Sequence, residues 1–228
     1  MASFHFNCIQ SLCENEDDFP ESFFLEQLNS ILSKDPTVSH ERDSNGYTLL
    51  HYAARYRSVE FCKCLVVSNP EAVAVQTNRM GTLPFHISCH KNNAETAKYL
   101  FQLHPESIDM PDNKLHYPIH YLLSNHSNYT IYGEKTSLFK LTQFLLKHDR
   151  GAVTKPDNDG WLPLHHACRF HDLDIVKAIF DAYPEAIHIR NFDGPNGGPP
   201  FLLATRNNCD DGIRPYLYTQ LQFISLAE

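Results

Sequence analysis

The sequence has no stretch of about 18 consecutive apolar residues, so no single helix in it reads as membrane-spanning. Residues 1–20 mix polar, aromatic and acidic side chains. They lack a basic start followed by an apolar run, so they do not read as a secretory signal. Lys and Arg never form a run, and the formal net charge is −8. Nucleic-acid backbones and anionic membranes select clustered cations, so neither is expected as a partner. The phosphate loop G-x-x-x-x-G-K-S/T, the nucleophile elbow G-x-S-x-G and the zinc pattern H-E-x-x-H do not occur. Tryptophan occurs once, at Trp161. No catalytic residue, cofactor or metal is assigned on these grounds.

Cysteine is present but unpatterned: Cys8, Cys13, Cys62, Cys64, Cys89, Cys168 and Cys209 are odd in number and irregular in spacing. Free thiols in a reducing compartment are the expectation, and with it an intracellular, cytoplasmic location. Cys62-Lys63-Cys64 is not C-x-x-C, and a helix would turn its two thiols to different sides. Cys62 reads as a small core residue, while Cys64 stays open.

What the chain does have is a period. Thr48-Leu49-Leu50-His51, Leu83-Pro84-Phe85-His86, Tyr117-Pro118-Ile119-His120 and Leu162-Pro163-Leu164-His165 share a pattern, with histidines 35, 34 and 45 residues apart. A second marker, Pro70-Glu71-Ala72, Pro105-Glu106-Ser107 or Pro184-Glu185-Ala186, begins 19 residues after His51, His86 and His165. In the third unit the same slot falls at Arg150, 30 residues after His120, so an insertion lies at about 124–137. It contains Tyr129, Ile131 and Tyr132 and the sequons Asn125-His126-Ser127 and Asn128-Tyr129-Thr130. With no secretory signal the sequons are not expected to be used, and their polarity marks an exposed loop.

Each period reads as two helices. Pro84, Pro118 and Pro163 fit the first helical position, where a fixed φ helps and a missing N–H costs nothing. The second helix shows helical periodicity at Val59, Cys62, Leu65 and Val66, and again at Ala94, Ala97, Leu100 and Phe101. Leu173, Val176, Ile179 and Phe180 repeat it, and the third unit restarts at Leu138 with Leu141, Phe144 and Leu145. A lone hairpin cannot bury such a face; stacked neighbours can. Polar turns separate the units at Asp43-Ser44-Asn45-Gly46, Asn78-Arg79-Met80-Gly81 and Asp157-Asn158-Asp159-Gly160. Short β-branched stretches such as Val73-Ala74-Val75 and Ile187-His188-Ile189 precede some of the turns, and together these read as projecting hairpins or fingers.

This combination resembles the ankyrin repeat, most closely at Asp159-Gly160-Trp161-Leu162-Pro163-Leu164-His165-His166-Ala167. The resemblance covers residues 41–208, with four recognisable units and a degenerate fifth in which Leu202 takes the histidine slot. It implies an all-α fold, a solenoid of stacked helix-turn-helix units with short β-hairpin-like fingers. It also implies that His51, His86, His120 and His165 are structural, bracing turns by hydrogen bonding. Thr48 alone keeps the capping threonine, and Leu115 replaces the turn glycine of the third unit, so the units should be less regular than an ideal array. Residues 1–40 are expected to hold a loosely ordered start and a capping helix from Glu21 to Leu32, in the slot of a second helix. Residues 209–228 should hold the matching C-terminal cap, Tyr216 to Ser225.

The resemblance implies a non-catalytic module, acting as a monomer, that binds another protein on its fingers and first helices. Arg42, Arg79, Met80, Lys114, Trp161, Arg190 and Phe192 are the candidate contacts, with Trp161 equally placed to pack on the next unit. Two rival readings are a regulatory fragment docking within a larger assembly and an enzyme on a repeat scaffold. The cluster His165-His166-Ala167-Cys168 gives no metal site, because His165 is already used and the remaining ligand types do not share a helix face.

Overall fold

The computed structural model describes residues 3–14, 19–124, 134–192, 197–206 and 212–227. Two compact units divide the chain, Met1–Asn113 and Lys114–Glu228. The first contains α1 (Phe4–Glu14), α2 (Glu21–Lys34), α3 (Leu49–Tyr56), α4 (Val59–Ser68), α5 (Pro84–His90) and α6 (Ala94–Leu103). The second contains α7 (Pro118–Ser124), α8 (Glu134–His148), α9 (Pro163–Phe170), α10 (Leu173–Ala182), α11 (Pro200–Arg206) and α12 (Ile213–Ala227). There is no strand among the described residues.

Within the first unit, α3 packs on α1 and α5, while α4 packs on α2 and α6, so first and second helices form separate layers. The layers meet through the hairpin pairs α1 with α2, α3 with α4 and α5 with α6. Phe6, Phe24, Phe61, Phe85, Leu28 and Leu65 fill the space between them and are fully buried. Side chains of this size each stabilise the fold by about 2 kcal/mol through the apolar area they remove from water. The second unit repeats the scheme, with α9 between α7 and α11 and α10 beside α8. This is the all-α, stacked helix-turn-helix architecture of an ankyrin solenoid.

Local chemistry explains the boundaries. Pro84 and Pro163 open their helices, and α4, α6 and α10 start on side-chain caps: Ser58 accepts from the N–H of Phe61, Asn93 from Thr96 and Asp172 from Ile175. The loop before the second helix also caps the first helix of the preceding hairpin. Arg57 donates to the Leu12 carbonyl, Asn93 Nδ2 to the Arg57 carbonyl at 3.1 Å and His171 Nε2 to the Leu123 carbonyl at 2.8 Å. These bonds satisfy carbonyls that a helix end leaves without partners.

Four expectations change. Within the expected loose leader, Phe4–Glu14 form α1, a first helix with Phe6, Ile9 and Cys13 buried, so α2 is not the second helix of a half repeat. Among the described residues there are therefore six helix pairs. The Pro-Glu-Ala markers open short 3₁₀ turns, Pro70–Ala74 and Pro184–His188, so Val73 to Val75 is not the arm of a β-finger. The helix after the insertion begins at Glu134 rather than Leu138, and the last helix begins at Ile213 rather than Tyr216. The insertion's Tyr129, Ile131 and Tyr132, both sequons and Cys209 lie outside the described residues.

Candidate interaction surface

The fingers are built from carboxylate-anchored turns. Asp43 Oδ1 accepts from the backbone N–H groups of Asn45 and Tyr47 at 2.9 and 2.8 Å, and Asp43 N–H donates to the Tyr47 carbonyl at 2.9 Å. Asp157 does the same to Asp159 and Trp161 at 2.9 and 2.8 Å. Thr77 is the hydroxyl counterpart, its Oγ1 accepting from the Thr82 N–H at 3.0 Å. Such side chains hold the chain in a tight reversal without any ladder, which gives hairpin-like turns that contain no strand.

One backbone bond ties each finger to its neighbour. In the first unit Asn78 N–H donates to the Asn45 carbonyl and Asn113 N–H to the Met80 carbonyl, both at 2.8 Å. In the second, Asn158 N–H donates to the Lys114 carbonyl at 3.1 Å and Phe192 N–H to the Asp159 carbonyl at 2.8 Å. Gly46, with φ +84°, must be glycine twice over, because a Cβ there would sit 2.5 Å from Asn78 Oδ1. Gly160, with φ +76°, lies under the Phe192 ring, whose Cδ2 would be 2.7 Å from an added Cβ.

The four repeat histidines are fully buried and make one repeated pair of bonds. His51 Nδ1 accepts from the Thr48 N–H at 3.0 Å, and its Nε2 lies 3.0 Å from the Thr82 carbonyl oxygen. A carbonyl can only accept, so Nε2 carries the proton and the ring is neutral. His86 bonds Leu83 N–H and the Met110 carbonyl; His120 bonds Tyr117 N–H and the Trp161 carbonyl; His165 bonds Leu162 N–H and the Gly198 carbonyl. Each ring thus locks the start of a first helix to the turn that follows in the next repeat. Burial pushes the imidazoles of His51 and His165 down to about 4 and that of His120 down to about 3.

The candidate contacts do not share one fate. Arg42, Arg79, Lys114 and Arg190 are exposed and Met80 is half-buried. The Arg190 guanidinium donates to the Gly197 carbonyl at 3.1 Å, which fixes its stem. Phe192 is 73 % exposed at the tip of its finger. Trp161 takes the packing alternative, since it is only 6 % exposed. Its ring lies 5.0 Å from that of His166 and 5.9 Å from that of His165, under the Arg169 guanidinium at 5.2 Å.

Two groups escaped the sequence reading. Tyr52, Arg55 and Tyr56 lie at i, i+3 and i+4 on α3, opposite the buried Leu49, Leu50, Ala53 and Ala54. Tyr52 Oη donates to Asp43 Oδ2 at 2.8 Å, so this helix face runs directly into the finger. Its signal, a polar-aromatic stripe at helical spacing, was there to be read. The second group is a partly buried cluster in which His116 Nε2 and His166 Nε2 each lie 3.5 Å from Asp157 Oδ2. Burial favours the neutral acid of Asp157. The His166 contact and the Trp161 N–H outweigh it and hold the carboxyl below its usual range, while burial lowers His166. No signal in one repeat foretold the cluster, because its members come from different ones.

Burial raises the thiols of Cys13 and Cys89, and that of Cys62 up to about 12, so these sulfurs are poor nucleophiles. Among the described residues no group of three or more His, Cys, Asp or Glu is placed to hold a metal ion, and no helix is long and apolar enough to cross a membrane.

Comparison with known proteins agrees with the repeat. Residues 2–113 match the description "Ankyrin repeats (3 copies)" and residues 145–196 match "Ankyrin repeats (many copies)". A curated relative from Saccharomyces cerevisiae, "Probable 26S proteasome regulatory subunit p28", is 26 % identical over 104 residues. That alignment spans 45 % of this chain and 41 % of the yeast protein. The chain belongs to the ankyrin-repeat family.

Proposed function

We propose that the chain is a non-catalytic interaction module that binds another protein through its fingers and the exposed faces of its first helices. One observation carries this reading. The finger turns are tethered at fixed spacing by backbone hydrogen bonds, while their side chains Arg42, Arg79, Arg190 and Phe192 stand exposed. Pre-ordered backbone with projecting Arg and aromatic groups lowers the entropy lost on association and supplies the residue types that dominate interface energies. The yeast relative's description as a regulatory subunit of a larger assembly is in keeping with a binding role.

Affinity capture from a lysate of the source cells tests it, comparing the wild type with an Arg79→Ala, Arg190→Ala, Phe192→Ala variant. Trp161 is left intact because its burial makes it part of the fold. A partner held by the wild type and lost by a variant with unchanged circular dichroism is the expected result. A partner held equally by both removes the fingers from the reading.

A further inference from the structure

We infer that the finger and first-helix face of the first unit takes an acidic segment, one rich in Asp and Glu, of a partner protein; this rests on the interaction reading above.

The inference starts from how the first unit distributes its cations. On α4 and α6 they are paired at home: Lys63 Nζ lies 3.2 Å from Glu60 Oε1, and Lys98 Nζ lies 3.2 Å from Glu95 Oε1. Arg57, at the loop into α4, is spent on Glu21, the Leu12 carbonyl and the Phe24 ring. The other face differs. Arg42 and Arg79 on the fingers and Arg55 on α3 are exposed, and none has a carboxylate within ion-pair distance among the described residues. In a chain carrying eight excess negative charges, these three arginines have no carboxylate partner among the described residues.

An aromatic group sits among them. Tyr56 is 38 % exposed, with the Arg55 guanidinium 5.2 Å and the Lys91 ammonium 5.9 Å from its ring centroid. Two cations from neighbouring first helices thus flank one amphipathic ring, the combination of Tyr and Arg that recurs where interfaces concentrate energy. The acids nearest the face are engaged within the fold. Asp43 is bonded by two backbone N–H groups and Tyr52, and Gln10 Nε2 donates to Glu14 Oε1 at 3.2 Å. The guanidiniums of Arg42, Arg55 and Arg79 are what a partner meets.

Guanidiniums select carboxylates by bidentate geometry as well as by charge. The overall negative charge disfavours an acidic partner at long range, so local attraction at this face helps to set where such a partner lands. Three arginines spaced over two fingers and a helix suit an extended chain better than a compact domain.

The test is a selection. Random peptides displayed on phage are panned on the full chain and on an Arg42→Glu, Arg55→Glu, Arg79→Glu variant whose circular dichroism matches the wild type. All three sites are exposed, so the variant is expected to fold. The wild type should enrich peptides rich in Asp and Glu. A synthetic peptide from that pool should bind at least tenfold more weakly to the variant, and more weakly to the wild type as salt shortens the Debye length from about 10 Å toward about 3 Å. Peptides without acidic enrichment that are lost on the variant leave the face an interaction site and overturn its acidic preference. Acidic peptides held equally by both proteins place the acid site elsewhere and overturn the assignment. Absence of enrichment also overturns it, as does a single-stranded RNA probe that binds the wild type, spares the variant and outcompetes the peptide. Lysate capture through the fingers would survive any of these results, so the two readings fail separately.

Discussion

His51 Nε2 lies 3.0 Å from the carbonyl oxygen of Thr82, a residue 31 positions further along the chain. The bond joins the first turn of α3 to the next finger, and His86, His120 and His165 repeat it. Replacing His51 with Ala strands the buried Thr48 N–H and leaves the Thr82 carbonyl with only the Thr77 N–H as donor. The expected loss is about 2–4 kcal/mol of unfolding free energy, combining an unmet N–H with a cavity. Urea unfolding followed by circular dichroism measures it. An unchanged midpoint would mean that the brace is dispensable.

The same rings make stability depend on pH. Each binds a proton readily in the unfolded chain, near 6.5, but only at about 4 for His51 and His165 and about 3 for His120 when folded. The unfolded state therefore binds more protons below neutrality, and stability rises with pH across that window. The contribution is complete above about pH 7 and drains as pH falls from 6.5 toward 4. Carboxylates start to titrate below about 5, so the interval from 7 to 5 isolates the histidines. Urea midpoints should fall steadily across it, by an amount on the order of a few kcal/mol in all. A flat profile there would show the rings charging in the folded state.

Leu115 sits at φ +59°, the left-handed region, where its counterparts Gly46, Gly81 and Gly160 are at home. A branched side chain strains that position by about 1–2 kcal/mol. Leu115 is 44 % exposed, so replacing it with Gly forfeits little burial. Glycine's freedom in the unfolded chain offsets part of the relief, and a net gain of about 0.5–1 kcal/mol is expected from Leu115→Gly. Gly160→Ala should act the other way, losing about 1–3 kcal/mol. Removing the Phe192 ring in the same protein should recover part of that loss, because the ring is what the new Cβ strikes. Thermal unfolding of the single and double variants separates strain from clash; equal losses with and without Phe192 would assign all of it to φ.

The period made most of this legible before any coordinates. Histidine and proline markers recur because each repeat solves one local problem, how to start a first helix and hold the following turn, with the same side chains. Three features lacked that marking. In α1 a phenylalanine, Phe6, stands at the third helical position, where histidine stands in the marked repeats, so the pattern was hidden although the burial was not. The 3₁₀ turns after Pro70 and Pro184 read as extended because Val73, Val75, Ile187 and Ile189 are β-branched, and proline at the first position outweighed that preference. The meeting of His116, Asp157 and His166 depends on how repeats stack, which spacing within one repeat does not encode. For Trp161 the sequence left packing and contact equal, because a tryptophan beside a finger serves either.

Its burial turns Trp161 into a reporter. The ring is the chain's only indole, 6 % exposed, and lies against His166 with the Arg169 guanidinium over it. Emission from the native protein should be blue-shifted and poorly quenched by acrylamide, then move to the red on unfolding. Trp161→Ala should cost about 3–5 kcal/mol, since it empties a large buried volume beside Asp157 and His165. Trp161→Phe keeps most of that volume and should cost less than half as much. The Trp161 carbonyl would still accept from His120 in both variants, because that bond is made by the backbone. A Trp161→Ala protein with an unchanged urea midpoint would mean the ring contributes no packing, and a native emission maximum like that of free indole in water would place it at the surface, returning it to the list of finger contacts.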